Sequence, residues 1–154
     1  MSHSRRDFLR IGLSAAAVSA TSVPLFGSEP ATLPPVRTIT RGPKHHWFAY
    51  YDKLQFDPSS RYCLGNAVTF EHRSPTGDDT IEVGMVDLQQ SDRWIALGTS
   101  GAWGWQQGCM LQWVPGSDSQ VIYNDRQDGQ YVSHVQDVLT GKRSTLVRAI
   151  YALS

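Results

Sequence analysis

Leu54-Gln55-Phe56-Asp57-Pro58 and, at an offset of 57, Leu111-Gln112-Trp113-Val114-Pro115 repeat one short pattern: an apolar residue, a glutamine, an aromatic ring and then a turn. The turns are Asp57-Pro58-Ser59-Ser60 and Pro115-Gly116-Ser117-Asp118, both built from residues that favour chain reversal. Around each pattern lie short apolar-aromatic runs separated by polar breaks, with no helical period. The first set covers residues 50–56, 61–70, 81–88 and 93–97, with a polar loop at 71–80. The second covers residues 108–114, 120–123, 131–138 and 144–150, with a loop at 124–129. Two further matches extend the alignment. Phe70-Glu71-His72-Arg73 aligns with Tyr123-Asn124-Asp125-Arg126 at an offset of 53, and Val86-Asp87-Leu88 with Gln136-Asp137-Val138 at an offset of 50.

Four short strands per unit, with an aspartate and a turn between the third and fourth, is the pattern of a β-propeller blade. The expected fold is all-β: two four-stranded antiparallel blades and the start of a third, preceded by a signal peptide. The boundaries read as signal 1–28, linker 29–44, first blade 45–98, second blade 99–150 and the opening of a truncated third blade at 151–154. A generic antiparallel sandwich is the second choice. The turn Asp137-Val138-Leu139-Thr140-Gly141-Lys142 resembles that of TolB-like and WD-type repeat proteins, and the resemblance extends over about residues 45–154. A ring closes with roughly 4–8 blades. Two blades therefore point to a fragment of a longer protein, with closure by self-association as the alternative.

Ser4-Arg5-Arg6-Asp7-Phe8-Leu9-Arg10 carries the twin-arginine (Tat) export pattern, in which Arg5, Arg6, Phe8 and Leu9 are the recognition residues. The mildly apolar run after it is broken by Gly12, Ser14, Ser19 and Pro24. It is shorter than the roughly 20 residues of a membrane-spanning helix. Val18-Ser19-Ala20 suits a small-residue cleavage site, and a cut nearer Gly27 also fits. The pattern implies the Tat translocase as partner and a periplasmic or secreted destination.

Residues 1–28 hold three of the 14 basic residues and one of the 14 acidic ones, so the remainder is slightly acidic. No basic patch argues for nucleic acid, and no stable membrane span is expected. Cys63 and Cys109 fall in a second strand and at the start of a first strand, so two buried free thiols are expected despite an oxidising destination.

In a blade, the connections before the first strand and after the second emerge on one face. That geometry gathers His45, His46 and Trp47, the pair Trp103 and Trp105 with Gln106 and Gln107, and the ends Glu71-His72-Arg73 and Asn124-Asp125-Arg126. The candidate ligand-binding residues are His45, His46, Arg73, Trp103, Trp105, Gln106, Gln107, Asp125 and Arg126. Indoles stack on sugar rings or plug cores, and arginines bind carboxylates bidentately or pair with neighbouring acids. Adjacent His45 and His46 on extended chain point to opposite faces. His134, on a third strand, reads as structural. Gly98-Thr99-Ser100-Gly101-Ala102 misses the nucleophile elbow of hydrolases, and no metalloprotease, phosphate-loop or dinucleotide motif occurs. The expected function is recognition of a carbohydrate or protein ligand. The rim is also similar in residue type to oligogalacturonate lyase propellers, a resemblance that implies a divalent metal and β-elimination. The third reading is a truncated chain without activity of its own.

Overall fold

Alternation of apolar and polar residues produces a strand when one face is buried, and the chain meets that condition twice. The computed structural model describes residues 33–48 and 50–153. The export residues Arg5, Arg6, Phe8 and Leu9 lie outside them, as does Ser154. The first sheet contains β1 (His45–Trp47), β2 (Tyr62–Val68), β3 (Ile81–Asp87) and β4 (Arg93–Ser100), in that order. The second contains β5 (Gln112–Trp113), β6 (Gln120–Gln127), β7 (Gln130–Asp137) and β8 (Arg143–Leu146), again in order. Every pairing is antiparallel. The all-β class and the two four-stranded antiparallel units are as expected. Among the described residues no helix is long and apolar enough to cross a membrane.

Register makes β2 and β3 equivalent to β6 and β7 residue by residue. Tyr62 faces Asp87 as Gln120 faces Asp137, and Asn66 faces Val83 as Asn124 faces Ser133. The hairpins before them also match: Asp57 N–H donates to Tyr62 O at 3.1 Å, and Val114 N–H to Gln120 O at 2.9 Å. The offsets of 57 and 50 therefore hold. The offset of 53 does not. Tyr123 is the counterpart of Gly65 rather than Phe70, and Arg126 of Val68 rather than Arg73. The cause is loop length. In the second sheet Asp128 and Gly129, at φ 50° and 77°, close a two-residue turn of the type that matches strand twist, and β6 runs on to Gln127 through residues whose polarity suggests a loop. In the first sheet residues 69–80 form a long connection instead.

The inner strands also differ from expectation. His45–Trp47 is itself β1, paired with Asn66–Val68. Phe56 touches β2 only through an isolated bridge to Cys63. Between them Tyr51–Lys53 turns out of the sheet. The fourth strands shift too, with β4 extending to Ser100 and β8 stopping at Leu146.

One apolar core joins the sheets. Leu64, Val68, Ile81, Val83 and Met85 from one face of the first pack with Leu111, Trp113, Val121 and Tyr123 of the second. Burying such a side chain contributes about 1.5–3 kcal/mol each relative to exposure. Polar bonds cross the same interface. Gln136 Nε2 donates to Leu97 O (3.1 Å), Ser100 Oγ to Asn124 O (2.7 Å) and Gly101 N to Asp125 Oδ1 (2.8 Å). Cys63 and Cys109 are buried free thiols as expected, and burial pushes the Cys109 thiol up to about 12.

At the turn after the third strand, both sheets use the same device. Asp87 is gripped by Arg61 Nε and Nη2 at 3.1 and 2.7 Å and accepts from Gln89 N. Asp137 accepts from Ser119 Oγ (2.6 Å) and from Thr140 N and Oγ1 (2.7 and 2.9 Å).

Candidate functional site

The long β2–β3 connection is the feature that separates the two sheets, and the chain invests bonds in holding it. Asp79 closes the loop on itself. It accepts from Arg73 Nη1 and Nη2 at 2.7 and 2.8 Å and from Thr76 N and Oγ1 at 2.6 and 2.9 Å. The Arg73 guanidinium first, and Thr76 second, hold the Asp79 carboxyl far below the usual carboxylate range. Arg73 also sits 3.5 Å from the centre of the Phe70 ring, a cation–π position.

A second set of bonds reaches the loop from the β4–β5 connector, residues 101–111. Trp103 Nε1 donates to Asp79 O at 2.8 Å, and Trp105 Nε1 to Arg73 O at 2.7 Å. Arg126 Nη2 donates to Gly77 O. The connector is shaped by paired bonds between Gly104 and Gly108, which set Trp105-Gln106-Gln107 on a tight loop. Trp47, Phe70, Trp103 and Trp105 pack as one aromatic cluster, with ring centroids 5.2–6.0 Å apart. Offset and edge-to-face contacts at such distances are favourable.

This assembly opens to solvent as a groove of about 510 Å³ lined by Glu71, His72, Arg73, Ser74 and Trp105. Glu71 Oε2 lies 3.1 Å from His45 Nδ1 and Oε1 lies 3.0 Å from His72 Nε2, so the carboxylate is bracketed by two imidazoles. Glu71 and His72, quoted with Arg73 in the sequence but left out of the candidate set, are thus central to the groove. Their signal was their place in the polar break after a strand.

The sequence candidates fall into four places. His45, Arg73, Trp103, Trp105 and Arg126 all bear on the loop or its groove. His46 faces the opposite side of the sheet, where its ring meets Trp94 edge-on at 4.9 Å. It lines a separate groove of about 370 Å³ that also takes in Asp92, and burial lowers its pKa. Gln106 and Gln107 are exposed at the tip of the connector. Asp125 lies between the sheets, accepting from Gly101 N and Arg126 N and facing His134.

His134 links the last three strands of the second sheet. Its Nε2 is 3.2 Å from Asp125 Oδ2 and its Nδ1 is 3.0 Å from Thr145 Oγ1. With the proton on Nε2, the ring donates to Asp125 and accepts from the threonine hydroxyl. The ring is fully buried and ties β6, β7 and β8 together.

Among the described residues no group of three His, Cys, Asp or Glu side chains converges closely enough to hold a metal ion. No protein-family model, characterised protein or solved structure matches the chain. The groove must be read from its own chemistry.

Proposed function

We propose that this chain forms part of an exported β-propeller whose rim binds a carbohydrate. Export rests on the Ser4-Arg5-Arg6-Asp7-Phe8-Leu9-Arg10 pattern. The propeller reading is supported by the way the sheets stack. The face of the second sheet carrying Val121 and Tyr123 packs on the first, and its counterpart in the first sheet, carrying Cys63 and Gly65, points away. Successive sheets thus present equivalent faces in one rotational sense, as blades do.

The single observation carrying the sugar reading is the half-buried Trp105 ring beside Glu71, His72 and Ser74 in one open groove. The indole N–H is already spent on Arg73 O, so what the ring offers a ligand is its π face. A pyranose places C–H bonds on such a face while its hydroxyls reach carboxylate, imidazole and hydroxyl groups. Expression in a Tat-competent bacterium, followed by glycan-array binding of the exported protein, tests the proposal. Arg5→Lys with Arg6→Lys is expected to leave the precursor in the cytoplasm, and Trp105→Ala to weaken glycan retention by about tenfold. Undiminished export of the double variant would remove the Tat assignment. A wild-type protein retained by no glycan would remove the sugar assignment.

A further inference from the structure

The groove carries an arginine, and an arginine beside a tryptophan invites the assumption that the ligand is an acidic sugar. The bonding pattern argues the reverse. Both Arg73 Nη atoms are committed to the two oxygens of Asp79, and Nη1 also donates to Ser74 O. The guanidinium face is occupied by Phe70. Its charge is matched by Asp79 and its Nη1/Nη2 fork is closed, so a ligand carboxylate would meet an already compensated cation. Arg126, the other guanidinium at this rim, donates to Gly77 O. Arg126 is not among the residues lining the groove. Of the lining side chains Glu71, 47% exposed, is the carboxylate with no arginine or lysine beside it among the described residues. Its oxygens keep lone pairs free beyond their contacts with His45 and His72.

We infer that the groove selects uncharged hexosyl units and rejects uronates, with Glu71 as the selecting residue. This rests on the sugar-binding reading above. Glu71 acts twice. It accepts hydrogen bonds from ligand hydroxyls, and its charge repels a ligand carboxylate brought into the same partly desolvated space. Unlike charges in bulk water, two like charges about 4 Å apart at a protein surface interact strongly enough to matter. This selection sets the groove apart from the uronate-cleaving resemblance, which requires a free cationic group.

The test is calorimetric binding of the exported full-length chain to a neutral gluco-oligosaccharide and to oligogalacturonate of equal length, at neutral pH and low salt. The neutral oligomer is expected to bind at least about tenfold more tightly. Glu71→Gln, which keeps the hydrogen-bonding oxygen and removes the charge, is expected to bring the ratio near unity. Glu71→Asp, which keeps the charge, is expected to retain the preference. Equal or tighter binding of oligogalacturonate by the wild type overturns the selection and leaves the sugar site standing. A ratio unchanged in Glu71→Gln overturns the role of Glu71. Binding of neither oligomer overturns both the selection and the sugar reading.

Discussion

At the register position where the first sheet pairs Gly65 with Gly84, the second pairs Tyr123 with His134. The same slot is filled in two ways. In the first sheet the glycines leave a seat that Trp94 of β4 occupies, with its ring against both. In the second the tyrosine and histidine fill the slot themselves, stacked edge-on at 5.4 Å. The Tyr123 hydroxyl reaches Gly98 of the neighbouring sheet, where an added Cβ would come within 2.5 Å of it. Equivalent backbone does not mean equivalent chemistry. The first sheet gives its slot to an indole facing away from its partner, and the second uses it to grip the sheet beside it.

The comparison breaks most readily at Gly84. A Cβ there would lie 2.7 Å from Ile95 O and still closer to the Trp94 ring, and backbone cannot yield as a flexible side chain can. Gly84→Ala is expected to cost about 3 kcal/mol, read as a lower urea midpoint. A loss under about 1 kcal/mol would mean that Trp94 is not held in that seat. His134→Leu is expected to cost less, about 1–2 kcal/mol, because half-buried Asp125 loses a donor while exposed Thr145 turns to solvent. A neutral result would show that the Asp125–His134–Thr145 chain adds nothing to the second sheet.

The smallest effect separates the two turn aspartates. Asp87 is lowered first by Arg61, whereas Asp137 is lowered to about 2, first by the Ser119 hydroxyl and then by Thr140. A depressed carboxylate stabilises the fold above its unfolded pKa of about 3.9, and that contribution is lost as pH falls through the folded value. Asp137→Asn is therefore expected to flatten the decline in stability between about pH 4 and the folded value near 2. Added salt is expected to weaken the contribution of the Asp87–Arg61 ion pair and leave that of Asp137, whose partners are uncharged, largely intact. Equal salt sensitivity of the two, measured by acid titration of Asp87→Asn and Asp137→Asn, would refute the distinction.

The sheets were legible because their signals are local. Turn clusters at 57–60 and 115–118, and the aspartates at 87 and 137, sit at fixed distances from alternating strands. The long connection was not, because an alignment that assumes equal loops slides when one loop shrinks to Asp128-Gly129. That dipeptide is itself a strong hairpin signal and would have carried β6 through to Gln127. The sharing of one rim by His45, Glu71, Arg73 and Trp105 follows from topology and could be anticipated. That Arg73 pairs with an acid was one of the two readings of the sequence, but the choice of Asp79 was not legible, since five loop residues separate the two and only the folded backbone brings them face to face.

Trp103 and Trp105 hold the β2–β3 connection by its main chain, through Asp79 O and Arg73 O, rather than by any side chain of Ser74–Asp78. Carbonyl oxygens are the same whatever residue bears them. The path of the loop is thereby partly uncoupled from its composition. Ser74, Pro75 and Asp78 become positions where new contacts could be written onto an unchanged frame, much as a mount keeps its shape while the stone in it is exchanged.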